Sequence, residues 1–310
     1  MIELEHVTKR YGTVTALTDV SLRVPKGRTV GLLGRNGAGK STALNLITGY
    51  FPPTEGRVRI GGMDMLSNAR ECKRMIGYLP ERPPLYDEMT VREYLTFVCE
   101  LKEVAPKAIR AHTDEIMELC GLTDVRGRIL GHLSKGYRQR AGFAQALCGD
   151  PDILVLDEPT VGLDPVQVVE IRQLIRELGK ERTVLFSSHI LPEVQQICSD
   201  VIIISRGRVI CTESLNTDHA DIIRLHAAIA GSEKELLPAL RSLPCVRQLK
   251  TLAGTEPGVT EVMLVCDRMN ERGPAQDQLF RLLSAMDAPL RMLKTEQDSL
   301  EEIFLRAESE

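Results

Sequence analysis

The sequence predicts an α/β fold with a parallel sheet, a helical insertion and a second, smaller α+β domain. Apolar runs typical of buried strands alternate with helical patterns, as in sheets covered on both faces. The middle of the chain is helical without intervening strands. Beyond about residue 217 the pattern becomes two short β-α-β units, which favours a ferredoxin-like domain. We therefore expect a first domain over 1–216, with its helical part at about 85–150, and a second over 217–310.

Composition narrows the class of protein. The chain has 310 residues, of which 43% are hydrophobic and 26% charged, with a net charge of −4. These values are typical of globular proteins, and the scattered basic residues argue against a nucleic-acid partner. No apolar stretch reaches the length of a membrane span, and "MIELEHVTKRYG" lacks a signal-peptide core. The eight cysteines are dispersed without a C-x-x-C pair, so we expect reduced thiols packed as small apolar groups.

Local patterns define the elements in order. Five short strands are expected in the first 80 residues, at "MIELEHVTKRY", "VSLRV", "TVGLLG", "GRVRIGG" and "MIGYLP". One helix interrupts them and begins inside a glycine-rich loop. Thr90 and Glu93 form a T-x-x-E capping box ahead of the first inserted helix. A second helical run covers Ile109 to Leu119, and a third begins near Ser134.

The remaining elements alternate again. "ILVLDEP", "TVLFSSH" and "VIIISRG" are predicted as buried strands, and Asp164 followed by Pro165 caps a helix that runs to about residue 180. From residue 217 the order is strand, helix, strand, strand, helix, strand, and a last helix at "SLEEIFLRAE".

The stretch "GRNGAGKST", residues 34 to 42, indicates a phosphate-binding loop. Gly34, Gly39, Lys40 and Ser41 fit G-x-x-x-x-G-K-[ST] between an apolar strand and a helix, which is the context this motif requires. Small residues let backbone N–H groups surround a phosphate at the start of a helix. Lys40 is expected to neutralise the β- and γ-phosphates, and the Ser41 hydroxyl to bind Mg²⁺.

"ILVLDEPT" places Asp157 and Glu158 at the end of a buried strand. Because adjacent strand residues point to opposite sides, Asp157 is expected to face the metal and Glu158 the attacking water as general base. The alternative is that the two acids are only solvated or capping groups.

A third stretch, "LSKGYRQR" (133 to 140), begins a helix with Ser134 and Gly136. Ser134 suits an N-cap, and a helix start also attracts anions. The stretch resembles the L-S-G-G-Q signature of ATP-binding cassette (ABC) ATPases, with Lys135 and Tyr137 in place of the usual Gly and Gln.

Other positions match this family in order over about residues 2 to 215. Tyr11 resembles the aromatic residue that stacks on adenine, although a core tyrosine is the alternative. Asp164 in "VGLD" resembles the loop that touches the facing subunit, and His189 in "SSHI" resembles the switch histidine at the γ-phosphate. Glu81 replaces the usual glutamine that senses Mg²⁺ and water, or else is a solvent-facing loop residue.

The resemblance implies an ATPase that uses ATP and Mg²⁺. It implies catalytic roles for Lys40, Glu158 and His189, and metal contacts from Ser41, Asp157 and Glu81. The implied nucleotide contacts are Tyr11, Gly34, Asn36, Gly37, Ala38, Gly39, Lys40, Ser41, Thr42, Glu81, Ser134, Gly136 and Asp164.

The resemblance also implies partners. Family members close head to tail around two ATP molecules, so this chain should form a homodimer or pair with a similar subunit. It should drive export through separate membrane-spanning subunits, as a peripheral protein on the cytoplasmic face of the plasma membrane. The cluster Pro83, Pro84, Leu85, Tyr86 and Met89 either receives the membrane partner or is ordinary core.

Two further function classes remain as alternatives. A cassette ATPase acting on nucleic acid or ribosomes would be expected to carry two cassettes or a long coiled coil, and a basic surface. A small-molecule kinase would leave "LSKGYRQR" and His189 unexplained.

Overall fold

A computed structural model describes residues 1–215, 222–252 and 258–296. The described residues divide into two compact units, 1–215 and 222–296. All eight cysteines are free thiols and seven of them are buried, as expected. Within the described ranges, none of the helices combines the length and apolar character needed to cross a bilayer.

The first unit alternates strands and helices. Its elements are β1 Ile2–Tyr11, β2 Val14–Val24, β3 Thr29–Leu33, α1 Lys40–Ile47, β4 Glu55–Ile60, β5 Met63–Asp64, α2 Ala69–Met75, β6 Ile76–Leu79, α3 Val91–Leu101, α4 Pro106–Leu119, α5 Lys135–Leu147, β7 Ile153–Asp157, α6 Pro165–Gly179, β8 Thr183–Ser188, α7 Leu191–Ile197, β9 Asp200–Ser205 and β10 Arg208–Ser214.

The central sheet has six strands in the order β10-β9-β3-β8-β7-β6. Its neighbours pair in parallel except β10, which runs antiparallel to β9. Every residue of β7 and β8 is buried, as expected for strands covered on both faces. The predicted parallel sheet is therefore confirmed, and an antiparallel sheet, β2-β1-β4-β5, packs beside it through a shared apolar core.

Strand order decides which loops meet. Strands β3 and β7 both lie next to β8, and the register aligns Leu33 with Ser188 and Asp157 with Ser187. The carboxyl ends of these three strands therefore lie side by side, which is where ligands bind in parallel α/β sheets.

The three predicted inserted helices are present as α3, α4 and α5. The capping box is confirmed, because the Thr90 side chain accepts from the Glu93 N–H while the Glu93 carboxylate accepts from the Thr90 N–H at 2.8 Å. Tyr94 of α3 donates its hydroxyl to Gln145 of α5 at 2.5 Å, which ties the two helices together.

The second unit contains β11 Ile222–Ala230, α8 Glu233–Arg241, β12 Val246–Thr251, β13 Val259–Asp267, β14 Met269–Asn270, β15 Gly273–Pro274, α9 Ala275–Ala285 and β16 Leu290–Glu296. Its sheet order is β12-β13-β11-β16, with every neighbouring pair antiparallel. This is the β-α-β-β-α-β topology of ferredoxin-like domains. The predicted helix at "SLEEIFLRAE" lies outside the described residues.

Candidate functional site

The glycine-rich loop connects β3 to α1 and takes a backbone shape that only glycine accepts easily. Gly39 has φ +108°, and a Cβ there would lie 2.7 Å from Leu17 Cδ2. A Cβ on Gly34 would lie 2.4 Å from the carbonyl oxygen of Ile204. Both glycines are therefore required by backbone conformation or by close approach.

Lys40, the first residue of α1, folds back across this loop. Its ammonium donates to the carbonyl oxygens of Gly34 at 2.7 Å and Arg35 at 3.2 Å. It also lies 3.1 Å from Glu158 Oε1, and both side chains are more than nine-tenths buried. A buried cation is thus held at the centre of the loop.

Glu158 follows the last residue of β7 and has φ +46°, which is rare for a non-glycine residue. The expectation from strand alternation therefore needs correction at this residue, because the strand ends at Asp157. Glu158 Oε2 lies 2.9 Å from His189 Nδ1. Its Oε1 is buried near Lys40 without an aligned hydrogen bond, so this oxygen keeps an acceptor position for another donor.

Asp157 lies beside the first turn of α1. Burial raises the pKa of Asp157 above its ordinary value, hydrogen bonds with Ser187 and Ser41 oppose the rise, and the charges of Glu158 and Glu81 add to it. Ser187 donates its hydroxyl to Asp157 Oδ1 at 2.6 Å and accepts the Glu158 N–H at 2.9 Å. A partly desolvated carboxylate next to a hydroxyl and two further acids is a site that a cation would stabilise.

The glycine-rich loop, Lys40, Glu158 and His189 line a cavity of about 370 Å³. Its lining residues are Ala16, Arg35, Asn36, Gly37, Gly39, Lys40, Ser41, Thr42, Glu81, Glu158, Val161 and His189. Nine of the predicted site residues thus share one cavity. Glu81 is both exposed and in this lining, so its side chain is not directed only to bulk solvent.

Other predicted residues lie elsewhere. Tyr11 is 42% exposed, so the alternative of a core tyrosine is wrong. Its ring meets Phe51 edge to face at 6.0 Å and carries the Lys9 ammonium at 5.1 Å. The ring is therefore an accessible aromatic surface.

Ser134, Gly136 and Asp164 lie at two other helix starts. Ser134 caps α5 loosely, accepting the Tyr137 N–H at 3.5 Å. Asp164 caps α6 and accepts the N–H groups of the second and third helical residues, both at 3.0 Å. Gly136 packs against Gln167 so closely that a Cβ would lie 2.4 Å from its side chain. The start of α5 thus packs directly on α6.

The sequence motifs assign no role to some residues of this region. Ser187 and Ser188 are two such residues, and their two hydroxyls inside a fully buried strand are the signal that indicates specific hydrogen bonds. Arg35 and Val161 line the cavity from positions where the motifs tolerate any residue. The contact of the Lys135 ammonium with Gly162 could not be seen in either motif.

A separate groove of about 700 Å³ lies between α2, α3 and the segment after Glu81. Pro84 and Tyr86 of the predicted apolar cluster line it, together with Phe97 and Leu101. Arg70, Lys73, Arg74 and Lys102 contribute four positive charges, against one negative charge from Glu103. The cluster is thus open on one side rather than only core.

Comparisons with known proteins agree with this geometry. A family model described as ABC transporter matches residues 17–161. The chain is 38% identical to the bacitracin transport ATP-binding protein BcrA of Bacillus licheniformis over 71% of each chain. It is 30% identical to the daunorubicin resistance ATP-binding protein DrrA3 of Streptomyces coeruleorubidus over 92% of this chain and 96% of that protein.

A solved structure is similar in both fold and sequence. The dimeric post-hydrolysis state of the ATP-binding cassette MJ0796, bound to ADP and Pi, matches with a TM-score of 0.65 and 28% identity, over 70% of this chain and 99% of that one. Because curated relatives are 30–38% identical to the chain over more than two thirds of their length, the chain belongs to the ABC transporter family and is an ATP-binding subunit with ATPase activity.

Proposed function

We propose that two such subunits, in a homodimer or with a similar chain, close around two ATP molecules and drive export by separate membrane-spanning subunits. The observation that carries the proposal is the Glu158 carboxylate held between Lys40 at 3.1 Å and His189 at 2.9 Å, beside a phosphate-binding loop. The relatives named for bacitracin transport and daunorubicin resistance support an exporter. Cargo would be selected by the membrane-spanning partner.

Within one subunit, the loop and Lys40 have distinct tasks. Backbone N–H groups at Asn36, Gly37, Ala38 and Gly39 would bind the β-phosphate at the start of α1, with the Ser41 and Thr42 amides continuing the cradle. Lys40 would neutralise the β- and γ-phosphates. Phosphate oxygens would compete with Glu158 for the ammonium, so nucleotide binding would release that carboxylate for chemistry.

Glu158 is the proposed general base. Its carboxylate would take a proton from the attacking water, which attacks the γ-phosphorus as the bond to the β-phosphate oxygen breaks. His189 would orient the carboxylate through Nδ1 and contact the γ-phosphate, adding positive or donor character where charge develops.

Mg²⁺ fits the residues present. Asp157 and Glu81 supply carboxylate oxygens and Ser41 a hydroxyl, which are the hard ligands Mg²⁺ prefers, and substrate phosphates and water ordinarily complete its shell. The described residues contain no cluster of three or more His, Cys, Asp or Glu arranged to hold a metal ion. When bound, the ion would offset the negative charge of the phosphates.

The contacts of Ser134, Gly136 and Asp164 are proposed to cross between subunits. Ser134 and Gly136 at the start of α5 would meet the γ-phosphate bound by the other subunit, and Asp164 would face that subunit from the start of α6. Tyr11 would stack on adenine through its exposed ring. The solved MJ0796 dimer supports pairing of such cassettes.

The groove beside α3 is the proposed docking site for a membrane-spanning subunit. Its aromatic and aliphatic floor offers an apolar surface to a helix of the partner, as in other helix-in-groove interfaces. Such docking would place the protein on the cytoplasmic face of the membrane without a span of its own.

The test is replacement of Glu158 by Gln, which keeps size and removes the base. We expect ATPase turnover to fall by about 10²- to 10⁴-fold, while ATP still binds and the dimer persists with ATP. Glu177→Gln is a matched control, because Glu177 is an exposed residue of α6 whose carboxylate pairs with Lys180. Normal turnover in Glu158→Gln would refute the proposed mechanism.

A further inference from the structure

The first turn of α7 carries a buried acid that the proposed mechanism does not use. Glu193 is 2% exposed, and its partners Thr160 and Ser188 are 5% and 0% exposed. Burying a carboxylate is costly unless its oxygens are satisfied by hydrogen bonds and a counter-charge. The residues that satisfy it therefore indicate what it holds.

Two hydroxyls donate to the same carboxylate oxygen. Thr160 Oγ1 lies 2.9 Å and Ser188 Oγ 3.0 Å from Glu193 Oε2. Glu193 Oε1 faces Arg172 Nη2 of α6 at 3.2 Å. Both oxygens of the buried acid thus have donors, and two of these donors come from the loop after β7 and from the last residue of β8.

The Thr160 contact fixes the segment that follows Glu158. Within this segment the Val161 N–H donates to the carbonyl oxygen of Glu158 at 3.1 Å, which closes a turn around it. Glu158 itself has φ +46°, and such backbone strain persists only where surrounding contacts hold it. The hydrogen bond from Thr160 to Glu193 supplies one of these contacts.

The Ser188 contact fixes the turn that carries His189. While the Ser188 hydroxyl donates to Glu193, its oxygen accepts the N–H of Ile190 at 3.0 Å. The residues on both sides of His189 are therefore connected through one hydroxyl. The turn that carries the imidazole is therefore hydrogen-bonded to Glu193 through Ser188.

We propose that Glu193 is a positioning residue for ATP hydrolysis. One carboxylate oxygen holds the segment after Glu158 and the turn around His189 to a common point, and so maintains the 2.9 Å contact between Glu158 and His189. Arg172 compensates the buried charge. The inference rests on the proposed roles of Glu158 and His189, and it adds a residue that touches neither substrate nor reacting atoms.

The test removes the two connections rather than the acid, because loss of Glu193 would leave Arg172 unpaired and would destabilise the fold. Thr160→Val and Ser188→Ala each delete one hydroxyl. Each should lower kcat by about tenfold, the size of one lost hydrogen bond to a charged group, and leave KM for ATP unchanged. Thr160→Ser, which keeps the hydroxyl, should recover most of the activity lost in Thr160→Val.

A double-mutant cycle separates positioning from general stability. His189→Ala is measured in the original protein and in the Thr160→Val/Ser188→Ala background, with thermal unfolding as a check that each variant is folded. We expect His189→Ala to cost clearly less in that background, because the geometry it depends on is already lost. Additive costs, or a loss confined to the unfolding temperature, would overturn the role of Glu193.

The two failures are distinguishable. Normal turnover in Glu158→Gln would refute the proposed catalytic role of Glu158, on which the inference rests. An inactive Glu158→Gln together with additive costs in the cycle would leave that role standing and reject only the positioning role of Glu193.

Discussion

Four helices of the first unit, α1, α3, α5 and α6, begin in two different ways. At the start of α3, Thr90 and Glu93 exchange hydrogen bonds in a complete capping box. At the start of α6, Asp164 Oδ1 accepts two backbone N–H groups, both at 3.0 Å. Side chains of the same chain therefore satisfy N–H groups that the helix geometry leaves free.

The starts of α1 and α5 are open by comparison. Gly39 offers no side-chain cap to α1. At the start of α5, the Ser134 hydroxyl accepts the Tyr137 N–H over a long distance of 3.5 Å. Neither helix has an acidic residue in its first turn, and their first residues are Lys40 and Lys135.

The difference separates helix starts whose backbone N–H groups are bound by side chains from helix starts whose N–H groups remain available to an anion. Free N–H groups, the helix dipole and a lysine together favour a phosphate. Only the start of α1 lies in the cavity with Glu158 and His189, so α5 is expected to serve a nucleotide held by another subunit. Four substitutions test or sharpen this comparison.

The largest effect is expected at α5. Aspartate caps a helix as well as serine does, so Ser134→Asp should retain the fold while placing a negative charge where the phosphate of the other subunit would lie. We expect ATPase turnover to fall by about 100-fold, similar to loss of a donor from a preorganised anion site. ATP-dependent dimer formation, measured by sedimentation, should also be lost.

Ser232→Asp provides the matched control. Ser232 is the N-cap of α8 in the second unit, where its side chain accepts the Lys234 N–H. The same substitution there should leave turnover and ATP-dependent dimerisation unchanged. Equal behaviour of the two variants would contradict the distinction drawn for α5.

The next effect concerns the metal near α1. Glu81→Gln removes one of the carboxylates around Asp157 and Ser41, so Mg²⁺ should bind more weakly, with a half-saturating concentration raised by about tenfold in ATPase titrations. Glu88→Gln, in the same segment and also exposed, is the control. An unchanged titration would exclude Glu81 as a metal contact.

Asp157 should show the cost of burying a carboxylate beside the cavity. Because burial raises its folded pKa above ~3.9, the ordinary unfolded value, the folded protein binds the proton more tightly than the unfolded chain. Without Mg²⁺ and nucleotide, the unfolding free energy should therefore decrease as pH rises through the window between the two values.

Asp157→Asn should remove that decrease and raise the midpoint of thermal unfolding at neutral pH, while weakening Mg²⁺-dependent turnover. Asp152→Asn is the control, since Asp152 is exposed just before the same strand. Identical pH profiles of unfolding for Asp157→Asn and the unmodified chain would show that the Asp157 carboxylate does not carry the effect.

The glycine loop, the buried strands and the capping box were predictable because each depends on neighbours within a few positions. Gly39 and Thr90 act through local backbone geometry, and β7 and β8 carry uninterrupted apolar runs. Short elements such as α2 and α7 carry too few apolar positions for a periodic pattern to be visible.

The contact of Glu158 with Lys40 and His189 was not predictable in this way. It joins residues far apart in the sequence, and it depends on strand order, register and a left-handed backbone at Glu158. Strand alternation predicts that Glu158 points to the side opposite Asp157. In the structure the strand ends at Asp157, so Glu158 lies outside the alternating pattern. The contact of Glu158 with Lys40 and His189 therefore depends on how the strands pair in the folded protein, and no single motif predicts it.

The smallest effect is expected where the helix start is already satisfied. Thr90→Ala removes the hydroxyl of the capping box and should lower stability by about 1 kcal/mol, or shift the first thermal transition by about 2–4 °C. Thr90→Ser should restore the transition. Turnover should not change, because the start of α3 binds no ligand in the proposed mechanism. A drop in turnover as large as that of Ser134→Asp would contradict the division of helix starts into structural and anion-binding ones.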